Sequence, residues 1–177
     1  TTMGDLLLTA ADRDPDKLAL VFPDAEYTYA QLVERSMARA RALLALGVKP
    51  REHVGILMHT CPEFVELYFA IAMIGAVIVP INARYRSAEI GYVVENGDLV
   101  TLLTTDSIAE SVNFVERLEQ ALPDLAGQKN PRQVKLAATP KLRQVVLCGK
   151  TERPGFLSEK DFIAGAESVP ELAVHER

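Results

Sequence analysis

The stretch from His53 to Tyr85, HVGILMHTCPEFVELYFAIAMIGAVIVPINARY, limits what this chain can become more than any other. Almost every position in it is apolar, yet it is punctuated as strand, helix and strand. His53–Met58 carries Val54, Ile56 and Leu57, the length and branching of a buried strand. Thr60 and Glu63 have capping-box spacing, in which each side chain satisfies an amide left open at a helix start. Pro62 falls in the first turn, where its missing N–H is not needed. The pattern predicts a helix over Pro62–Ile74, stopped by Gly75 in the left-handed geometry of a helix end. Ala76–Ile81 then reads as a second buried strand, with Pro80 near its exit.

The same stretch is too short to cross a bilayer. Its uncharged run, Leu67–Ile81, falls below the ~20 residues a spanning helix needs, and Gly75 and Pro80 interrupt it. A helix apolar on all sides belongs instead inside stacked layers. The unit is a βαβ crossover, and no membrane span is expected.

Upstream, Met3–Arg13 has helical period with Leu6, Leu7 and Ala10 on one side. Leu18–Phe22 and Glu26–Thr28 read as short strands joined by the turn Pro23-Asp24-Ala25, pairing with each other or with protein outside this stretch. Thr28 and Gln31 form another capping box and open a helix to about Leu46, closed by Gly47. Its stripe is Leu32, Ser36, Ala40, Leu43 and Leu44. Arg35, Arg39 and Arg41 lie largely off that stripe beside Glu34. They do not converge as a phosphate or CoA patch would, and they read as a solvated face.

Downstream, Ser87–Glu95 is a short helix ended by Asn96-Gly97, and Leu99–Thr104 is an apolar strand. Asp106 is positioned to cap a longer helix with the stripe Ile108, Val112, Val115, Leu118 and Leu122. Pro123–Pro140 reads as a polar surface excursion, Arg143–Cys148 as a last buried strand, and Ser158 with Asp161 as the cap of a short helix before a polar tail. Strands alternating with helices imply an α/β fold, layered, with a mostly parallel sheet and helices on both faces.

Composition narrows the function classes. The 177 residues, 49% hydrophobic, suffice for one compact domain with a real core. A net charge of −5 and a pI near 5.3 argue against nucleic acid or an anionic membrane as partner. Cys61 and Cys148 make no disulfide framework and fit a reducing cytoplasm. TTMGDLLLTAADRD lacks the basic and long apolar regions of a signal peptide.

Each chemical constellation is weak. Gly149-Lys150-Thr151 resembles the end of a Walker A loop, but Gln144 stands where its first glycine belongs and Pro154 blocks the helix that would hold phosphate. There is no G-x-G-x-x-G after a strand and no G-x-S-x-G. Cys61, in a helix's first turn and two residues after His59, has the setting of a dipole-activated thiol, although a small apolar filler suffices to explain it. His53, His59 and His175 show no metal-ligand spacing with the cysteines. Asp12 with Asp14, and Glu116 with Glu119, are acids on polar faces. His59, Asn82 and Thr105 follow three strand ends, where an α/β sheet forms its ligand crevice, yet loop polar residues of this kind mostly serve turns. No catalytic, cofactor-binding or metal-binding residue is assigned.

The segments YTYAQLVERSMARARALLALGVKPREHVGILM and TCPEFVELYFAIAMIGAVIVPINARY resemble the N-terminal region of the acyl-CoA synthetases, in the family of AMP-binding, adenylate-forming enzymes. The likeness runs from about Thr28 to Asp106 and rests on TY-x-x-L at Thr28–Leu32 and G-A-V-x-V-P-I-N at Gly75–Asn82. These are scaffold motifs. The resemblance implies that residues 1–177 are an N-terminal α/β subdomain of a larger AMP-binding domain, lacking the phosphate loop and the C-terminal lid. For the parent protein it implies an acid–CoA ligase that joins a carboxylate to AMP, releases pyrophosphate, and lets CoA displace AMP. ATP, Mg²⁺ and CoA would be cofactors of that parent and would not be held by this chain alone, which is expected to be inactive. INARYRSAEIGYVV is similar to ligases of fatty, steroid-side-chain or aryl acids more than to peptide-synthetase domains. The partners implied are a hydrophobic carboxylic acid and the rest of the same polypeptide, with a homodimer open.

Two other classes compete. A free-standing α/β binding module would explain the missing catalytic signatures, and would lack the broad apolar patch that a fragment exposes. A peripheral membrane protein would need a basic amphipathic helix, for which Thr28–Leu46 is the candidate, and burial explains that helix better.

Overall fold

The computed structural model describes residues 2–175. In chain order the elements are α1 (Met3–Arg13), β1 (Leu18–Phe22), β2 (Ala25–Thr28), α2 (Tyr29–Ala45), β3 (His53–Leu57), α3 (Pro62–Met73), β4 (Val77–Pro80) and α4 (Ser87–Asn96). There follow β5 (Leu99–Thr105), α5 (Phe114–Ala121), β6 (Gln144–Cys148), β7 (Leu157–Ser158), α6 (Glu159–Ala164), a 3₁₀ turn (Gly165–Ser168) and α7 (Leu172–His175). They divide into two compact units, in place of the single domain that length alone suggests.

The first unit takes the described residues up to Arg51, then Thr60–Val77, and those from Ile163 on. Here β1 and β2 pair with each other as an antiparallel hairpin. At α2 the expected capping box forms: Thr28 Oγ1 accepts from the Gln31 amide at 3.3 Å and Gln31 Oε1 from the Thr28 amide at 2.9 Å. α1, α2 and α3 pack on one another, and the hairpin, the 3₁₀ turn and α7 pack on α2. A Cβ at Gly4 would lie 3.1 Å from Met73 Cα, so the absent side chain lets α1 approach α3. Leu7 is buried as its period requires, but Leu6 is mostly exposed and leaves the expected stripe.

Three expectations for this unit need correction. The Thr60–Glu63 capping box does not form. Cys61 holds the extended N-cap conformation, φ −146°, and the helix begins at Pro62, so Thr60 sits one residue too early. The arginines of α2 are only in part a solvated face, because Arg35 is exposed but Arg39 is buried. Arg39 Nε donates to Glu66 Oε2 at 2.6 Å, both side chains nearly buried. Arg35 also reaches Glu66 at 3.5 Å and lies over the Tyr27 ring, 4.4 Å from its centroid. Arg41 Nε donates to the Val169 carbonyl at 2.7 Å. The cause is Glu66, a carboxylate on the buried face of a mostly apolar helix. An unpaired buried charge would cost several kcal/mol, so the neighbouring helix supplies the cation. Last, the tail beyond Ser168 is not merely polar, because it folds as α7 with Val174 buried.

The second unit takes Glu52–His59 and Ile78–Phe162. Its five-stranded sheet has the order β4-β3-β5-β6-β7, with β3–β5, β5–β6 and β6–β7 parallel. The fold is α/β with the mostly parallel sheet expected. Every residue of β5 and β6 is buried, which explains why both read as unbroken apolar runs. Two of their polar residues pair across the strands, Thr101 Oγ1 donating to Gln144 Oε1 at 2.9 Å. α4 and α5 pack on each other and on β5 around a core that includes Ile90, Val94, Leu102, Phe114 and Leu118. At the sheet's opposite end Arg143 grips Glu52 through two bonds of 3.0 and 2.7 Å.

Asp106 caps no helix here. Glu110 and Ser111 have φ of 49° and 64°, which a right-handed helix cannot contain, so α5 starts only at Phe114. Its cap is Asn113, whose Oδ1 accepts from the Glu116 amide at 3.2 Å, and Ile108 is exposed. Pro123–Pro140 runs mostly exposed over the surface as expected, but Leu125, Val134 and Leu136 turn from it into the core. At the end of α4, Gly97 stays right-handed at φ −81° and Asp98 takes the left-handed conformation at 53°.

Candidate functional site

The strand order sets where a ligand crevice can form. From β3 the chain moves to β4 on one side and later to β5 on the other, so the order reverses between β3 and β5. Open α/β sheets take ligands outside the carboxyl ends of their strands at such a point. The residues that leave those ends are His59 after β3, Asn82 after β4, Asp106 after β5 and Gly149–Thr151 after β6.

Most polar groups at this edge hold the edge itself. Asn82 Oδ1 accepts from the Arg84 amide at 2.9 Å, and Thr105 Oγ1 from the Ser107 amide at 3.1 Å. Both make local turns, as their residue types favour. Thr104 Oγ1 donates to the Leu57 carbonyl at 2.8 Å and ties β5 to β3. His59 differs. Its ring stacks on Phe114 with centroids 6.2 Å apart and planes 14° apart, and its Nδ1 is buried without a hydrogen-bond partner.

At the Walker-like stretch two carboxylates meet the main chain. Gly149 has φ +147°, and a Cβ there would collide with the Asp106 carboxylate. The turn presents three successive amides. Lys150 N–H and Thr151 N–H donate to Asp106 Oδ2 at 2.9 and 2.8 Å, and Gly149 N–H donates to Glu159 Oε2 at 2.9 Å. Successive amides turned one way form a cradle for an anion, and here two carboxylates of the chain fill it. Beyond the turn lies a cleft of about 360 Å³, with Leu147 and Phe156 in its lining and Thr151, Arg153 and Ser158 among its polar groups.

The other candidates do not assemble. Burial pushes the Cys61 thiol up to about 12, overcoming a hydrogen bond from the Phe64 amide that lowers it, so the dipole-activated thiolate is excluded near neutral pH. His53 Nδ1 lies 2.6 Å from the Gly97 carbonyl, a structural contact. Asp14 is paired with Arg13 on the surface. Among the described residues, no group of three or more His, Cys, Asp or Glu side chains could hold a metal ion. None of the helices is long and apolar enough to cross a membrane, again among the described residues. The Gly149–Thr151 turn does not fit a nucleotide triphosphate, because its amides already hold carboxylates. Sequence reasoning missed Asp106 as the key to this edge, and the one signal was an aspartate directly after a strand.

Comparison with known proteins gives the chain's family. The sequence model of the family described as AMP-binding enzyme matches residues 7–170. The acyl-CoA ligase SID4 of Ajellomyces capsulatus is 32% identical over 178 residues, covering 99% of this chain and 28% of that protein. A linear gramicidin synthase polypeptide of Brevibacillus parabrevis is 38% identical over 99 residues, covering 56% of this chain and 1% of that one. The crystal structure of the anthranilate CoA ligase AuaEII in complex with anthranoyl-AMP superposes with a TM-score of 0.75 and 25% identity, covering 97% of this chain and 29% of that one. The chain spans about a third of the length of the curated relatives that it matches from end to end.

Proposed function

Since the chain belongs to the AMP-binding enzyme family, we propose that it is the N-terminal α/β part of an ATP-dependent acid–CoA ligase acting in the cytoplasm. The whole protein converts a carboxylate, ATP and CoA into an acyl-CoA, AMP and pyrophosphate, with Mg²⁺ neutralising the phosphates. This part contributes the sheet and its packed helices, while the phosphate loop and the C-terminal lid come from the remainder of the polypeptide. The observation that carries the reading is the family match across residues 7–170, joined to a carboxyl edge whose phosphate-like cradle is self-filled.

The acid is a fatty or related hydrophobic one on this reading. INARYRSAEIGYVV supports it. The similarity to a gramicidin synthase pulls the other way.

Carboxylate-dependent ATP–pyrophosphate exchange tests the proposal, run on this chain and on a longer form that carries it, over a panel of fatty, aryl and steroid acids and amino acids. Exchange by the longer form with a hydrophobic acid, and none by the short chain, is the expected result. Exchange with amino acids alone would overturn the acid class. Exchange with nothing in the panel would overturn the ligase reading and favour a binding module.

A further inference from the structure

We propose that the Gly149–Thr151 turn is an oxyanion site whose resident ligand is the Asp106 carboxylate, and that a small free oxyanion takes Asp106's place when that carboxylate is removed. The inference stands on the geometry of this edge and not on the family reading.

Two consecutive amides, Lys150 and Thr151, donate to the same oxygen of Asp106 at 2.9 and 2.8 Å, and the third, Gly149, donates to Glu159 at 2.9 Å. Charge-assisted bonds of this length are the stronger kind. Gly149 is held at φ +147°, against the carboxylate, in a space that any side chain would occupy. The backbone is therefore shaped around an anion, and the anion comes from the exit of β5. Asp106's own amide donates to the Cys148 carbonyl at 3.3 Å, so the two strand exits are bonded in both directions. A group tethered this way acts at an effective concentration of roughly millimolar or above. Free phosphate well below that concentration does not displace it, so the intact turn rejects phosphate although its sequence resembles a phosphate loop. Glu159, which opens α6, closes the same turn from the other side. The Thr151–Pro154 wall of the 360 Å³ cleft is thereby fixed at its start.

The test is anion rescue. Wild-type protein and Asp106→Ala are melted in sodium formate, sodium phosphate and sodium chloride at equal ionic strength, and ¹H–¹⁵N spectra follow the Lys150 and Thr151 amides during each titration. The alanine variant should melt roughly 5–10 °C below wild type. Formate and phosphate should recover part of that loss and move both amide signals along saturating curves, while chloride does neither and wild type stays unchanged. Adding Lys150→Ala to the alanine variant should leave the rescue intact, because the donors are main-chain amides. Asp106→Ser, which also opens the space, is carried through the same titrations in case the alanine variant does not fold. No saturable shift in the folded variants beyond that in chloride would overturn the proposal. So would equal phosphate binding by wild type, or rescue that disappears with the Lys150 ammonium.

Discussion

Arg39 Nε and Glu66 Oε2 meet at 2.6 Å between α2 and α3, with 8% and 2% of their side chains exposed. Removing one partner of a buried pair strands the other charge and costs about 3–5 kcal/mol. Glu66→Ala should therefore lower stability by that amount in urea denaturation. Arg39→Met with Glu66→Met should cost far less than either single loss, because an apolar pair of similar volume needs no charge compensation. A double variant as damaged as Glu66→Ala would show that packing, not charge, carries the contact.

The capping assignment can be tested by two threonines with the same sequence signature. Thr28 makes both bonds of its box, whereas Thr60 lies one residue before the true N-cap, Cys61. Thr28→Ala should cost about 1 kcal/mol in chemical denaturation and Thr60→Ala only a few tenths. Equal losses would refute the assignment of the α3 N-cap.

The Cys61 thiol is raised by burial from 9.0 to about 12. Unfolded protein loses this proton first, so it holds fewer protons than the native state between those values. The contribution to stability is complete below pH 9 and falls as pH rises toward 12. Native Cys61 should also react with iodoacetamide at pH 8 far more slowly than the unfolded chain does. Reaction at the rate of a free thiol, followed by mass spectrometry, would contradict its burial.

Asp98 takes a left-handed turn position, and its carboxyl is held below the usual range by the hydrogen bond from Lys141, Nζ to Oδ2 at 2.8 Å, and by that ammonium's charge. The pair is exposed and salt will weaken it. Its small contribution is present above the ordinary aspartate value and is lost as pH falls through the lowered one. Lys141→Ala should raise the Asp98 titration midpoint in carboxyl NMR, and 1 M salt should move the wild-type midpoint the same way. An Asp98 midpoint that neither change moves would rule out the pairing.

Much of the architecture could be read from periodicity. The runs at His53, Leu99 and Arg143 are strands because both of their faces are buried, and burial on both faces leaves a continuous apolar signature. Other parts depended on partners far along the chain. Arg39 looked solvated because Glu66 is 27 residues away. Ile108 and Val112 kept helical spacing, but Glu110 and Ser111 broke the helix through backbone angles that residue types do not announce. Leu125, Val134 and Leu136 were too sparse among polar neighbours to declare a buried face. The carboxyl edge was hardest, since Asp106 acquires its role from amides 44 and 45 residues later.

The central claim is that this chain is a scaffold whose phosphate-like turn is already filled. The most direct measurement is calorimetric titration of the 177-residue chain with Mg–ATP, alongside a longer form that carries the same segment. The account predicts no saturable binding by the chain and clear binding by the longer form. Saturable, phosphate-dependent binding by the chain alone would contradict it.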